Sequence, residues 1–190
     1  MKNMSIMVKT LGLLVVVLLL ASCGGKQSQP EQEQAAAPVP KLAKKYDTLL
    51  FAPFTIKEEL AKDYPQAASE LQSSTMTALQ MGKQFAEVDA VSGNVAGSAG
   101  TLIVNAKITE MRIVSGAARF WGGAMAGSSG VELELRLVDS VSKKVVREEK
   151  LSSWNNAWGA AWTGGSTDNS LLSDMGKITA QYITDSMPAK

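Results

Sequence analysis

The chain has 190 residues, with 19 basic and 18 acidic side chains and a formal net charge of +1. Such a balanced charge gives no electrostatic support for nucleic-acid binding, which needs a basic surface. The chain contains one cysteine and no histidine. It therefore has no internal disulfide, and it lacks the most common general base and catalytic zinc ligand.

The first 22 residues have the features of a secretory signal peptide. Lys2 and Lys9 form a short basic segment, and residues 11–20 are an apolar run too short to cross a bilayer comfortably. Small residues follow the run and lead directly to Cys23. Residues 20–23, Leu-Ala-Ser-Cys, resemble the lipobox of bacterial lipoproteins. The alternative is an ordinary signal peptide followed by an incidental free cysteine.

The resemblance to bacterial lipoproteins implies covalent lipid on Cys23. The chain would be cleaved before this residue, with a diacylglycerol on the sulfur and often an acyl chain on the new amino group. Two or more acyl chains give stable anchoring, whereas one gives only marginal binding. Residue 24 is glycine, and enterobacterial lipoproteins kept at the inner membrane usually carry aspartate there. The resemblance therefore implies a lipid-anchored envelope protein in the outer membrane, and we expect the domain on its periplasmic side.

A tether follows the predicted anchor. Residues 24–41 are rich in glutamine, alanine and proline and show no periodic apolar face, which is typical of a flexible linker. The predicted organisation is a signal peptide (1–22), an acylated cysteine with its tether (23–44) and a single folded domain (45–190).

The first half of the domain is predicted to contain two strands and one helix. Residues 47–54 form an apolar run closed by Pro53, which indicates a buried strand. A helix is expected from Pro65 to Met81, with Gly82 just after its end. Residues 85–91 are expected to form a short second strand.

The second half is predicted to contain three strands and a final helix. Residues 101–114 alternate apolar and polar side chains with a phase change that indicates a bulge near Glu110. Residues 130–139 alternate throughout, and residues 144–154 should pair with them as a hairpin. The last helix is expected over residues 168–186. This order predicts an α+β fold: a mostly antiparallel sheet of four to six strands, with two main helices packed on one face.

Two segments rich in glycine and aromatic residues are candidates for contact surfaces. Residues 115–130 contain Phe120 and Trp121 and are interpreted either as a loop that contacts a membrane or partner, or as a connection tucked under the sheet. Residues 152–167 carry three tryptophans at a spacing of four that places them on one face. This stripe is interpreted either as a platform for sugar, peptide or lipid headgroups, or as a cover of the core. Its members are Trp154, Trp158 and Trp162.

No catalytic constellation is recognisable. Candidate acids and bases are Glu110, Asp139, Glu148 and Asp168, but none forms a recognisable pair. Alternating carboxylates such as Glu132 and Glu134 are typical of a solvated strand face. We therefore expect a protein that is not an enzyme and that needs no metal or other cofactor beyond the lipid on Cys23.

Residues 108–146 resemble an uncharacterised bacterial lipoprotein family, domain of unknown function 4410. The similarity lies in the "RFWGG…AG" loop, the alternating strand after it and the "LVD" ending of that strand. Members usually have a Thr-Gly turn after the aspartate, whereas this chain has Ser140-Val141-Ser142. The opening at residues 46–54, "YDTLLFAPF", is also similar to curli-secretion-lipoprotein-like domains. Neither resemblance implies an activity for any residue.

Three functional hypotheses remain open. The first is a non-enzymatic, lipid-anchored protein that binds another envelope component. The second is a self-assembling secretion or pore-associated subunit, in which residues 115–130 line or enter a membrane. The third is a cell-wall glycan-binding protein that uses the tryptophan stripe.

Overall fold

The structure, a computed structural model, describes residues 38–114, 129–154 and 170–189. Within these ranges there are six strands and three helices. The strands are β1 (Thr48–Phe51), β2 (Thr55–Ile56), β3 (Glu87–Ala90), β4 (Thr101–Arg112), β5 (Gly130–Asp139) and β6 (Val145–Ser152). The helices are α1 (Glu58–Ala61), α2 (Ala67–Gly82) and α3 (Leu171–Ser186).

The six strands form one sheet that is mixed rather than mostly antiparallel. The order is β3-β1-β4-β5-β6, and β2 also pairs with β4. β1 is parallel to both β3 and β4, β2 is parallel to β4, and only the β4-β5-β6 part is antiparallel. The predicted α+β class is confirmed, but the sheet contains three parallel strand pairs where a mostly antiparallel sheet was predicted. The reason is that α1 and α2 lie between β1 and β3, and such a crossover returns the chain in the same direction.

Pro53 divides the predicted first strand into β1 and β2. Proline has no N–H to donate to a sheet, so it interrupts the pairing. The N–H of the next residue, Phe54, is instead bonded to the Gln72 side-chain oxygen at 2.9 Å, and pairing with β4 resumes at Thr55. The Gln72 side chain of α2 therefore takes the place of a sheet partner for the backbone N–H between β1 and β2.

One face of the sheet and the inner faces of α2 and α3 form the core. The four predicted core positions of β5, residues 131, 133, 135 and 137, are fully buried, as the alternation indicated. α3 buries an apolar stripe that includes Met175, Ile178 and Ile183. The two helices approach closely where Gly176 of α3 faces Ser74 of α2, whose hydroxyl donates to the Ser173 carbonyl at 3.0 Å.

The predicted bulge and hairpin are present. The β4–β5 register shifts between Ile108 and Glu110, and β5 and β6 pair from Glu132–Ser152 to Val138–Val145. The end of α2 differs from its prediction: Gly82 is the last helical residue, and Lys83 after it has the left-handed conformation at φ 51°.

Residues 38–46, here called the N-terminal strap, pack against the domain. Val39 and Leu42 are buried in the core, and the Leu42 N–H donates to the Ser186 carbonyl at 2.7 Å. The Arg147 guanidinium donates to the Pro40 carbonyl at 2.8 Å. Among the described residues, packing against the domain therefore begins at Val39, within the segment that was predicted to be tether. The sequence signal for this packing is the pair Val39 and Leu42, two apolar residues in a segment of prolines and lysines.

No helix in the three described ranges is long and apolar enough to cross a membrane.

Candidate functional site

Of the predicted lipid-attachment and contact residues, the structure describes only Trp154; of the candidate acids, Asp168 lies outside the described residues. Cys23, the predicted lipid attachment, lies outside the described residues. The same holds for four predicted contact residues: Phe120, Trp121, Trp158 and Trp162.

Trp154 lies immediately after β6 and opposite the start of β5. The Ser153 N–H donates to the Val131 carbonyl at 2.9 Å, and the Val131 N–H donates to the Ser153 hydroxyl at 2.8 Å. This pairing places Trp154 beside Gly130. The indole lies so close to the glycine that a Cβ at residue 130 would overlap it. Glycine is therefore required here by the close approach of a ring rather than by an unusual φ angle.

A cleft of about 520 Å³ opens beside the indole. α1 forms one wall through Glu59 and Leu60, and the end of β4 forms the other through residues 109–112. The bulge at Ile108–Glu110 turns the β4 side chains at this point. This size is within the range of small-ligand sites.

The strands beside the cleft carry several carboxylates. Glu110 lies opposite Glu132 in the β4–β5 register, and like charges at such positions repel. Lys150 compensates, because its ammonium lies 2.7 Å from a Glu132 carboxylate oxygen. This hydrogen bond raises the pKa of Lys150, an effect that burial opposes and that the nearby Glu110 and Glu134 reinforce. The Thr109 hydroxyl also donates to Glu132, at 3.1 Å.

The cleft has the chemistry of a polar binding surface with an aromatic wall. Lys57 and Arg112 add two cations to its lining. Within the described ranges, no group of three or more possible metal ligands is present. Beside the cleft, the carboxylate of Glu132 accepts a hydrogen bond from Thr109 and pairs with Lys150. Trp154 is half-buried, packs on Gly130 and also lines the cleft, so the choice between core cover and platform stays a prediction.

A substitution tests this packing of Trp154 on Gly130. Gly130→Val is expected to lower the free energy of unfolding by about 1–3 kcal/mol, because the new side chain must displace the indole. Thermal unfolding of the single variants and of Gly130→Val/Trp154→Ala would measure it. We expect the double variant to be less destabilised than the sum of the two single variants, since removing the indole leaves room for valine. Strict additivity would contradict the contact.

A second cluster, missed by sequence reasoning, surrounds Asp139 at the other end of β5. This carboxylate is buried and accepts hydrogen bonds from the Tyr46 hydroxyl at 3.1 Å and from the Ser142 N–H at 2.8 Å. It also forms an ion pair with Lys44. The only signal in the sequence was the aspartate at the end of β5, since its partner Tyr46 lies 93 residues away.

The pKa values at this cluster follow from its contacts. The bonds from Lys44 and Ser142 hold the pKa of Asp139 well below its usual range, and Tyr46 adds to this. Burial, followed by the bond to Asp139, raises the pKa of Tyr46 to about 12. Asp139 was a candidate acid in the sequence, but these contacts give it the role of joining the N-terminal strap to the β5–β6 turn.

Residues 25–187 match the family described as domain of unknown function DUF4410. The chain belongs to this family. The resemblance noted for residues 108–146 is thus confirmed over most of the chain. No curated protein matches the DUF4410 chain.

Solved structures show a similar fold. PelC from Paraburkholderia phytofirmans, described as a dodecamer, is 13% identical with a TM-score of 0.52, over 82% of this chain and 95% of PelC. A variant of the same PelC gives 16% identity and the same TM-score, over 81% and 95% of the two chains. Protein XCC0632 from Xanthomonas campestris is 12% identical with a TM-score of 0.45, over 80% and 88%. At these identities, the likeness to PelC establishes the fold alone.

Proposed function

We propose that this DUF4410 protein is a lipid-anchored lipoprotein of the bacterial cell envelope that binds another envelope component and performs no catalysis. The observation that carries the proposal is the Leu-Ala-Ser-Cys motif at residues 20–23, directly after an apolar run of signal-peptide length. Glycine at residue 24 favours the outer membrane, with the domain on the periplasmic side.

The use of the acidic groups supports a role in binding rather than catalysis. Asp139 is held by Tyr46, Lys44 and Ser142, and Glu132 is held by Thr109 and Lys150. A general acid or base needs a pKa near the working pH. The pKa of Asp139 does not meet this requirement, because its contacts lower it below the usual 3.8 and so further from neutrality.

The anchor is tested by lipid labelling of cells. Wild-type protein is expected to incorporate a palmitate analogue and to remain in the membrane fraction after high-salt washing, whereas Cys23→Ser should do neither. Restoring a cysteine five residues later, as Ser28→Cys in the Cys23→Ser chain, should not restore labelling, because the lipobox and not a thiol alone directs acylation. A Cys23→Ser protein that stays firmly in the membrane fraction would contradict the proposal.

Self-assembly is a second candidate. The structural likeness to PelC, which is described as a dodecamer, supports it, and so does one row of aliphatic side chains across the sheet face opposite the core. In register, this row consists of Leu50, Ile103, Val138 and Val145. Three of these residues are half-buried and Val145 is exposed, and none of the described helices covers them; a contiguous apolar patch of this kind is typical of interfaces.

The native mass of the full-length protein, extracted in mild detergent from its own cells, distinguishes the two candidates. A symmetric homo-oligomer that dissociates in Val145→Glu but not in Val141→Glu would support self-assembly through this row. The control is matched because Val141 is more exposed, at 57% against 41%, and lies in the turn outside the row. A monomer with one stoichiometric partner would support the binding role and contradict self-assembly.

A further inference from the structure

The strap fixes the place where the chain leaves the domain towards residue 23. Leu42 is buried and bonded to the end of α3, and Pro40 accepts a hydrogen bond from β6. The 15 residue steps from Cys23 to Pro38 span at most about 50 Å when fully extended. If Cys23 carries lipid, as proposed above, the end of the domain that holds the strap stays within reach of the bilayer.

This end of the domain carries a group of lysines, here called the lysine face. They come from the strap, from the residue after α2 and from the β5–β6 turn, and all six are exposed. Its members are Lys41, Lys44, Lys45, Lys83, Lys143 and Lys144.

Local contacts bring these lysines together. Lys44 is paired with Asp139, whose backbone bonds to Lys143 and Lys144 across the turn. The Lys41 ammonium donates to the Asp185 carbonyl at 2.7 Å, at the end of α3. Lys45 and Lys83 line the same hollow. Backbone contacts and a shared hollow therefore hold lysines from three separate segments at one end.

The charge at this end is opposite in sign to that at the cleft end. The lysine face has four neighbouring carboxylates, which are Asp47, Glu87, Asp139 and Asp185, so the cations exceed the anions. Among the described residues at the cleft end, four cations face five carboxylates. These are Lys57, Lys62, Arg112 and Lys150 against Glu58, Glu59, Asp63, Glu110 and Glu132. An anionic surface would therefore attract the end that holds the strap and repel the cleft end.

The hollow in the lysine face has a mixed lining that suits a phospholipid headgroup. Its volume is about 370 Å³, and two cations line it: Lys83, and Lys45, whose exposed ion pair with Asp47 at 2.9 Å would be shared with a phosphate. Three half-buried apolar residues, Phe85, Met187 and Pro188, supply a surface for the glycerol and the first carbons of an acyl chain. A soluble phosphate would use only the cationic part of this lining.

We propose that the lysine face docks on anionic phospholipid headgroups of the membrane that holds the anchor. This inference rests on the proposed lipid anchor, and it adds a defined orientation: the strap end meets the bilayer and the Trp154 cleft faces away. A basic cluster beside a lipid anchor gives a second membrane signal, and each lysine near an anionic surface changes binding about fivefold.

Lysine footprinting of the acylated full-length protein tests the docking. The protein is inserted into vesicles of phosphatidylcholine alone or of phosphatidylcholine mixed with phosphatidylglycerol, and lysine acetylation is read by mass spectrometry. With phosphatidylglycerol, Lys45, Lys83 and Lys144 should react several-fold more slowly, whereas Lys62 and Lys107 should not change. At about 1 M salt, where screening acts within about 3 Å, the protection should disappear.

Matched double variants locate the effect. Lys83→Gln/Lys144→Gln should weaken docking by about tenfold or more, given about fivefold for each lysine, and should therefore remove most of the protection of Lys45. Lys62→Gln/Lys107→Gln removes the same charge elsewhere and should leave that protection unchanged.

The outcomes separate this inference from the anchor itself. Protein that does not insert into either vesicle contradicts the anchor. Inserted protein with equal lysine reactivity in both vesicles contradicts the docking alone. Equal protection by inositol hexaphosphate on phosphatidylcholine vesicles would assign the face to a soluble phosphate and overturn the membrane assignment.

Discussion

The Gly176→Val variant is expected to unfold at a temperature about 6–12 °C below that of the wild type, which corresponds to a loss of about 3 kcal/mol. A Cβ at residue 176 would lie 2.6 Å from the Ser74 Cβ and 3.0 Å from the Ser74 carbonyl carbon. The backbone of α2 cannot yield as a flexible side chain would. The helices must therefore separate, and the core beneath them loses contact.

Gly82→Val is the matched control for this substitution. Gly82 is the last residue of α2, and a Cβ there meets no atom within 4 Å. Its unfolding temperature should change little, because only the small difference in helix propensity remains. Calorimetry of both variants measures the contrast, and equal decreases at the two positions would contradict the close helix contact.

Compensation at Ser74 gives a second check. Gly176→Ala should be less destabilising than valine, and adding Ser74→Gly should recover part of the loss, because it removes the two side-chain atoms nearest the new methyl group. Neighbouring residues in contact show such coupling, whereas independent sites are additive.

The Asp139→Asn variant is expected to loosen the N-terminal strap and to lower the stability of the domain. An amide cannot replace a carboxylate that forms an ion pair with Lys44 and accepts bonds from Tyr46 and Ser142. Hydrogen exchange at the Leu42 amide, which donates to Ser186, should become faster while amides in the centre of β5 change little. Unchanged exchange at Leu42 would contradict the role of Asp139 in holding the strap.

The effect of Asp139→Asn should depend on pH. Because the folded protein lowers the pKa of Asp139 below the usual 3.8, its stabilising contribution is complete well above pH 3.8. As pH falls below that value, the unfolded chain binds the proton first and the contribution decreases. The difference in unfolding free energy between wild type and Asp139→Asn should thus be largest near pH 7 and shrink below about pH 4.

The matched control is Asp47→Asn, whose partner Lys45 and own side chain are both more than half exposed. A difference for Asp139 that is constant from pH 7 to pH 3 would contradict the lowered pKa.

Local patterns account for the features that the sequence predicted correctly. The β5 alternation placed Val131, Leu133 and Leu135 in the core, and the short turn predicted the β5–β6 hairpin. The phase change in β4 located the bulge. These features depend on the period of the side chains and on neighbouring segments, so residues close in the chain are sufficient to specify them.

The candidate site was predictable only in part. Trp154 was identified from the spacing of the tryptophans, but its place on Gly130 depends on the β5–β6 register. The wall of the cleft that α1 supplies was not predicted, because a helix of four residues has too few positions to show a periodic apolar face.

By itself, the sequence determined the family, the α+β class, the hairpin and the approximate positions of α2 and α3, and it supplied the lipobox on which the proposed anchor rests. Only the tertiary structure decided the parallel pairing of β1, the burial of the strap and the partners of Asp139. The physical reason is separation along the chain: Tyr46 and Asp139 are 93 residues apart, and Ser74 and Ser173 are 99 apart. Contacts of this kind have no local period, and they form only when packing of the core brings the segments together.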